Sequence, residues 1–133
     1  MKIVFADSFY YFALLSKDDG LHARAVDFSR TFRGRVVTTD WVLTEIADGL
    51  AAPNKRHGFV ALREKLQQDE NVLIVPATTD LFERGCIHYQ RRADKDWPLT
   101  DCISFLVMQE HGITEALTGD HHFEQAGFVA LLK

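Results

Sequence analysis

The chain has 133 residues, of which 47% are hydrophobic and 26% charged, and its formal net charge is −4. This composition excludes a disordered or fibrous protein, and we expect residues 1–133 to form one globular domain. The negative charge argues against a broad basic surface that binds nucleic acid tightly and without specificity. Local basic clusters, such as the one formed by Arg91, Arg92 and Lys95, remain candidates for holding phosphate groups.

The N-terminal segment and the two cysteines bear on the cellular compartment in which the protein is expected. The first apolar segment is short and reaches Asp7 early, which is typical of neither a signal peptide nor a membrane span. Cys86 and Cys102 are far apart and form no CxxC motif, so the sequence predicts neither a disulfide framework nor a zinc ribbon. We therefore expect a cytoplasmic protein without a membrane partner.

Short β-branched segments alternate along the chain with longer amphipathic segments. This alternation predicts an α/β fold built on a parallel sheet. The predicted strands are Ile3–Ala6, Val36–Thr38, Val72–Val75, Ala116–Thr118 and Val129–Leu131. The intervening segments repeat apolar residues at helical spacing and are predicted to be helices.

The first four helical segments carry start and stop signals. Asp7 and Ser8 offer side-chain oxygens to begin the first helix, and Thr39 offers one to the third. Gly34 is expected to end the second helix, and Pro53 suits the first turn of the fourth.

The sixth helical segment is apolar on nearly all sides. Thr100 is expected to cap it, Cys102 to Met108 form its apolar part, and Gly112 ends it. A helix of this kind is predicted to pack directly against the sheet. A short helix around Phe123 is expected after the fourth strand.

Four acidic residues are predicted to meet at one edge of the sheet. Asp7 directly follows the first strand, Asp120 follows the fourth strand, and Asp101 opens the sixth helix. Glu45 lies about two turns into the helix after the second strand, within reach of the same edge. Loops beyond the carboxyl ends of parallel strands converge on a crevice, so these four carboxylates are candidates for one site.

Such a site predicts a divalent cation. Converging carboxylates repel one another and take up protons unless a cation neutralises them. Oxygen ligands favour Mg²⁺ or Mn²⁺ over zinc, and an ion of this kind can activate water for attack on a phosphodiester. Each acid alone also fits an ordinary role as a helix cap or surface residue, so the prediction rests on the four together.

The motifs of the sequence do not fit several other classes of α/β protein. A response-regulator receiver requires paired acids after the first strand, and a haloacid-dehalogenase-type phosphatase requires a DxD motif there, whereas Asp7 is followed by Ser8 and Phe9. The dinucleotide-binding and Walker glycine motifs are absent. The adjacent His121 and His122 have no HExxH spacing, and we expect them to act as caps or surface residues.

Several segments resemble those of PIN-domain proteins, and within that family those of VapC-type toxin ribonucleases. The segments are FADSFYYFAL, TTDWVLTEIADGL, DWPLTDCISFLVMQEHG and ALTGDHHFEQAGF. They cover essentially the whole chain in order. The resemblance implies a parallel five-stranded sheet flanked by helices on both faces and Mg²⁺- or Mn²⁺-dependent cleavage of RNA. It also implies a homodimer and inhibition by a cognate antitoxin protein.

The resemblance also implies roles for individual residues. The catalytic and metal-binding acids of the family match Asp7, Glu45, Asp101 and Asp120. Among these, Asp7 and Asp101 match the principal metal ligands. Polar positions near the substrate match Ser8, Thr44 and Thr118.

Two alternatives to a toxin ribonuclease stay open at this point. The first is a non-catalytic PIN-fold binding module that serves as a scaffold for a partner. The second is a PIN nuclease acting on structured DNA ends, for which the sequence shows no long helical arch. Asp96 either joins the acidic site or balances the neighbouring basic residues, and we favour the surface role.

Overall fold

The computed structural model describes residues 1–133 and contains five strands and seven helices. The strands are β1 (Ile3–Ala6), β2 (Arg35–Thr39), β3 (Val72–Val75), β4 (Glu115–Leu117) and β5 (Val129–Ala130). The helices are α1 (Ser8–Leu15), α2 (His22–Thr31), α3 (Asp40–Gly49), α4 (Arg56–Gln68), α5 (Thr79–Arg91), α6 (Leu99–Glu110) and α7 (His121–Gln125).

The five strands form one parallel sheet in the order β3-β2-β1-β4-β5. In the central strand β1, Phe5 pairs with Val37 of β2 on one side and with Ala116 of β4 on the other. Val4, Phe5 and Ala6 are all fully buried, because helices cover both faces of the sheet. The predicted α/β fold with a parallel five-stranded sheet is therefore confirmed.

Of the two capping side chains predicted for α1 and α3, only the one at α3 caps its helix. Thr39 caps α3 as predicted, since its hydroxyl accepts a hydrogen bond from the Val42 backbone N–H at 3.1 Å. Asp7 occupies the cap position of α1, but its side chain makes no capping hydrogen bond to that helix. The expectation that the Asp7 side chain caps α1 is wrong, and the carboxylate is free for another role.

Three other predicted boundaries require correction. α6 begins at Leu99 after Pro98, so Thr100 lies inside the first turn and does not cap the helix. α2 ends at Thr31 and is capped by Phe32 rather than by Gly34, which lies so close to the Lys2 backbone that no side chain fits there. α4 begins three residues after Pro53.

Helix α6 is the main apolar element beside the sheet, as its sequence predicted. Ile103 and Phe105 are fully buried along it. The Phe105 ring meets Phe123 of α7 edge-on at 4.9 Å between centroids and Trp97 in the same manner at 5.0 Å. These aromatic contacts fix the start of α7 relative to α6, and each of these two segments carries one of the predicted site acids.

No helix in the structure combines the length and the apolar composition that a membrane crossing requires.

The packing of α5 on α6 generates a prediction about Gly85. A methyl group at this position would overlap the Ile103 side chain. We expect Gly85→Ala to lower the free energy of unfolding by about 1–3 kcal/mol, because overpacking of a core forces its neighbours apart. Urea denaturation measures this change.

The matched control is Gly58→Ala on α4, where an added methyl group meets nothing within 4 Å. That variant should gain about 0.5–1 kcal/mol because alanine is the better helix former. Equal behaviour of the two variants would show that α5 and α6 are not packed as described.

Candidate active site

The four predicted acids lie at the edge of the sheet beyond the carboxyl ends of the strands. Asp7 follows β1, Asp120 follows β4 and begins α7, Asp101 lies in the first turn of α6, and Glu45 lies in α3. The negative charges of these carboxylates are close enough together to raise the pKa values of Asp7, Glu45 and Asp101. The structure therefore brings together acids from four separate segments of the chain.

Asp7 is the most deeply placed acid of the group and is only 4% exposed. Burial, followed by repulsion from Asp101 and then Glu45, raises the pKa of Asp7 to about 7. The Thr118 hydroxyl donates a hydrogen bond to Asp7 Oδ2 at 2.9 Å and offsets part of this rise. Asp7 is thus oriented by a neighbour that does not neutralise it.

Asp101 shows the same behaviour from the opposite side of the site. Its side chain is 6% exposed, and burial, together with the charges of Asp120 and Glu45, raises its pKa to about 7. Its position in the first turn of α6 also places the carboxylate near the positive end of the helix dipole.

Thr118 links two of the acids. Besides donating to Asp7, its hydroxyl accepts a hydrogen bond from the Asp120 backbone N–H at 3.0 Å. The Asp120 carboxylate in turn accepts one from the His122 backbone N–H at 2.9 Å and caps α7. Asp120 therefore fills the capping role that the sequence allowed and lies at the site as well.

Glu45 of α3 lies beside Ser8 at the start of α1. Burial raises the pKa of Glu45, and the charges of Asp120 and Asp48 add to the rise. The neighbouring Ser8 hydroxyl lowers that pKa again. Ser8 is consequently placed to orient the Glu45 carboxylate.

His122 is the residue of this site that sequence reasoning missed. Its Nδ1 atom lies 3.0 Å from Asp101 Oδ2 and 3.3 Å from Asp120 Oδ1, and its side chain is only 17% exposed. The expected surface role is therefore wrong for His122, although it holds for His121, whose side chain is 63% exposed. The useful signal was the position of the two histidines directly after a predicted site acid.

Two other sequence candidates lie on the surface. Thr44 is exposed, and its hydroxyl donates to the Asp40 carbonyl of its own helix at 2.8 Å, so the structure does not join it to the acids. Asp96 is also exposed. The predicted contact between Thr44 and substrate stays a prediction.

The residues present fit a divalent cation. No lysine or arginine forms an ion pair with any of the four carboxylates, and the only basic side chains paired with Asp101 and Asp120 are those of His121 and His122. Buried carboxylates that lack a fixed positive partner hold protons near neutral pH, or they bind a metal ion. The oxygen atoms of Asp7, Glu45, Asp101 and Asp120 are the ligand type that Mg²⁺ and Mn²⁺ prefer.

Comparison with known proteins identifies the family. The PIN domain family model matches residues 4–129, and the chain belongs to this family. The chain is 28% identical over 129 residues to the 23S rRNA-specific endonuclease VapC20 of Mycobacterium tuberculosis, and the match covers 96% of each protein. The resemblance to PIN-domain proteins and, within them, to VapC-type toxins is thereby confirmed.

Solved structures agree with this assignment. The crystal structure of VapC20 from Mycobacterium tuberculosis, a Sarcin-Ricin loop cleaving toxin, has a TM-score of 0.86 at 27% identity, covering 96% of this chain and 98% of that one. FitAcB from Neisseria gonorrhoeae has a TM-score of 0.64 at 16% identity, covering 96% and 94%. VapBC2 from Rickettsia felis, bound to a promoter DNA fragment, has a TM-score of 0.66 at 8% identity, covering 96% of each chain. The last two show the shared fold.

The raised pKa of Asp7 generates a prediction about stability. Because the folded carboxyl holds its proton more tightly than the unfolded one, the metal-free protein should lose stability as pH rises from about 4 to about 7. Asp7→Asn removes the buried charge and keeps an oxygen for Thr118. At pH 8 in EDTA we expect this variant to unfold at higher urea, with a gain of about 2 kcal/mol that shrinks towards pH 4.5.

The control for this experiment is Asp94→Asn. The hydrogen bond from Arg92 lowers the pKa of the exposed Asp94, which is the opposite shift, so this variant should not be stabilised at pH 8. A loss of stability in Asp7→Asn at pH 8 would contradict the assignment of Asp7 as an uncompensated buried charge.

Proposed function

We propose that the chain is a cytoplasmic, Mg²⁺- or Mn²⁺-dependent endoribonuclease and the toxin of a toxin–antitoxin pair. The observation that carries the proposal is the convergence of four carboxylates without a lysine or arginine partner, two of them with pKa values near 7, at the sheet edge of a PIN domain. The full-length similarity to VapC20, an endonuclease, supports the same reaction class.

The proposed mechanism divides the work between the acids and their neighbours. Asp7 and Asp101 would be the principal ligands, and Glu45 and Asp120 would complete the site. These four residues would hold a Mg²⁺ or Mn²⁺ ion, whose chemistry would be to make a water molecule more acidic and to offset negative charge on a phosphodiester. Thr118 fixes the direction of the Asp7 carboxylate, so the oxygen atoms of the site are arranged before substrate arrives.

The proposed substrate is a loop of ribosomal RNA. VapC20 is 23S rRNA-specific, and its crystal structure is that of a Sarcin-Ricin loop cleaving toxin. An unpaired loop also suits an open sheet edge, since splayed bases and a flexible backbone reach such a site more readily than a duplex. Basic side chains such as Arg91 and Lys95 would hold flanking phosphates.

The proposed partners follow from the resemblance to VapC-type toxins. They are a cognate antitoxin protein, which inhibits the nuclease, and a second copy of the chain in a homodimer. Co-expression with the product of a neighbouring small open reading frame, followed by size-exclusion chromatography with light scattering, identifies both assemblies.

Cleavage of labelled RNA tests the proposed reaction. We expect the purified chain to cut 23S rRNA with Mg²⁺ or Mn²⁺ and to be inactive in EDTA. Asp7→Asn and Asp101→Asn should each reduce the rate at least about 100-fold, because each variant removes a charged metal ligand. The control is Asp94→Asn, which changes an exposed acid outside the site and should keep wild-type activity.

Two results would change the conclusion. Tight RNA binding without cleavage under any metal condition would favour the non-catalytic binding module. Equal activity of the wild type and the Asp7→Asn variant would indicate that cleavage occurs elsewhere or comes from a contaminant.

The hydroxyl groups generate a second kinetic prediction. Thr118→Val keeps the shape of the side chain but removes the hydrogen bonds to Asp7 and Asp120, so kcat should fall about 10- to 100-fold. If Thr44 contacts substrate as the resemblance implies, Thr44→Val should raise KM and leave kcat unchanged. Steady-state kinetics on a short RNA loop separate the two effects, and a KM change alone in Thr118→Val would contradict the positioning role.

A further inference from the structure

A group of imidazole and carboxylate side chains lies at the outer side of the acidic site. His122 Nδ1 is 3.0 Å from Asp101 Oδ2 and 3.3 Å from Asp120 Oδ1, and His121 Nδ1 is 3.5 Å from the same Asp120 oxygen. One ligand atom each from Asp120, His121 and His122 lies within 4.8 Å of the others. The proposed Mg²⁺ or Mn²⁺ site uses only the oxygen atoms of this region.

The three nitrogen–oxygen distances of 3.0, 3.3 and 3.5 Å have the size expected between neighbouring ligand atoms of one metal ion. Bonds of about 2.1 Å place adjacent ligand atoms about 3.0 Å apart in an octahedron and about 3.4 Å apart in a tetrahedron. Hydrogen bonds have similar lengths, so distance alone does not separate the two arrangements. Two imidazole nitrogens among carboxylate oxygens, however, are a ligand set that Mg²⁺ does not favour.

The exposure of the group allows an ion to enter from solvent. The exposed fraction of the side chains increases outward, from 6% for Asp101 through 17% for His122 and 29% for Asp120 to 63% for His121. No lysine or arginine forms an ion pair with either carboxylate. A cation that enters from solvent therefore finds a ligand atom at each depth. No lysine or arginine side chain is paired with these ligands and would have to be displaced.

We propose that Asp101, Asp120, His121 and His122 form a mixed nitrogen and oxygen site for a first-row transition-metal ion of the Zn²⁺ or Co²⁺ type. The inference deepens the metal site of the proposed nuclease and rests on that function. In this arrangement the ion lies between His122 Nδ1 and the facing carboxylate oxygens of Asp101 and Asp120. Imidazole nitrogen gives such ions an advantage that it does not give Mg²⁺.

The test compares the loss of affinity for two ions in matched variants of the full chain. Oxygen-only sites also bind Zn²⁺ more tightly than Mg²⁺, so the ranking in the wild type is not sufficient. His122→Asn keeps an N–H donor for Asp101 but removes the imidazole ligand, and His121→Ala changes an exposed side chain that folding does not require. His57→Ala, on the exposed surface of α4, is the control.

Calorimetric titration of the metal-free proteins with ZnCl2 and MgCl2 supplies the measurement, and the visible spectrum of added Co²⁺ reports nitrogen ligation directly. We expect His122→Asn and His121→Ala each to weaken Zn²⁺ binding about tenfold or more, to change Mg²⁺ binding less than about twofold, and to alter the Co²⁺ spectrum. The His57→Ala variant should match the wild type in all three readings.

Two outcomes would overturn the inference. Unchanged Zn²⁺ binding in both variants would show that the histidines are not ligands, and an equal loss of Zn²⁺ and Mg²⁺ binding in His122→Asn would show that the ring only orients the carboxylates. Failure of the proposed nuclease has a different signature, because the wild type would then bind Zn²⁺ through the histidines and cleave no RNA with any ion.

Discussion

The site depends on one electrostatic constraint, which is that buried carboxylates of like charge are held together at the edge of a parallel sheet. Asp7 and Asp101 are both buried, and the charge of Asp101 repels that of Asp7, which opposes folding at neutral pH. The parallel sheet makes this arrangement possible because β1 and β4 are neighbours and deliver their following residues to the same edge. The apolar contacts of α6 with α7 hold the outer acids in place.

The surrounding polar groups orient the carboxylates without cancelling their charge. Thr118 donates to Asp7 and accepts from the Asp120 backbone, so one hydroxyl fixes two ligands. A lysine or arginine at this place would satisfy the carboxylates permanently and exclude a cation. A hydroxyl and a histidine preserve their capacity to bind one, because neither carries a fixed charge.

The sequence was sufficient to predict the fold and the grouping of the acids, because both follow from patterns along the chain. Alternating strand and helix segments define the parallel sheet, and the strand ends locate Asp7 and Asp120. The ends of helices were less predictable. Thr100 has a good capping side chain, yet α6 already begins at Leu99, directly after Pro98. Gly34 is required by the close approach of the Lys2 backbone and not by the end of a helix. His122 was missed because its partner Asp101 is 21 residues away in sequence.

The burial of the acids also bears on the choice between an enzyme and a scaffold. A module that only binds a partner gains nothing from placing Asp7 and Asp101 in a protein interior without a lysine or arginine partner, since a buried carboxylate that lacks a fixed positive charge beside it lowers the free energy of unfolding. Asparagine would fill the same space and make similar hydrogen bonds at lower cost. The cost is offset when a cation binds to the folded protein, because ligand binding to the native state stabilises it. The arrangement of these acids therefore favours a protein whose working state contains a metal ion.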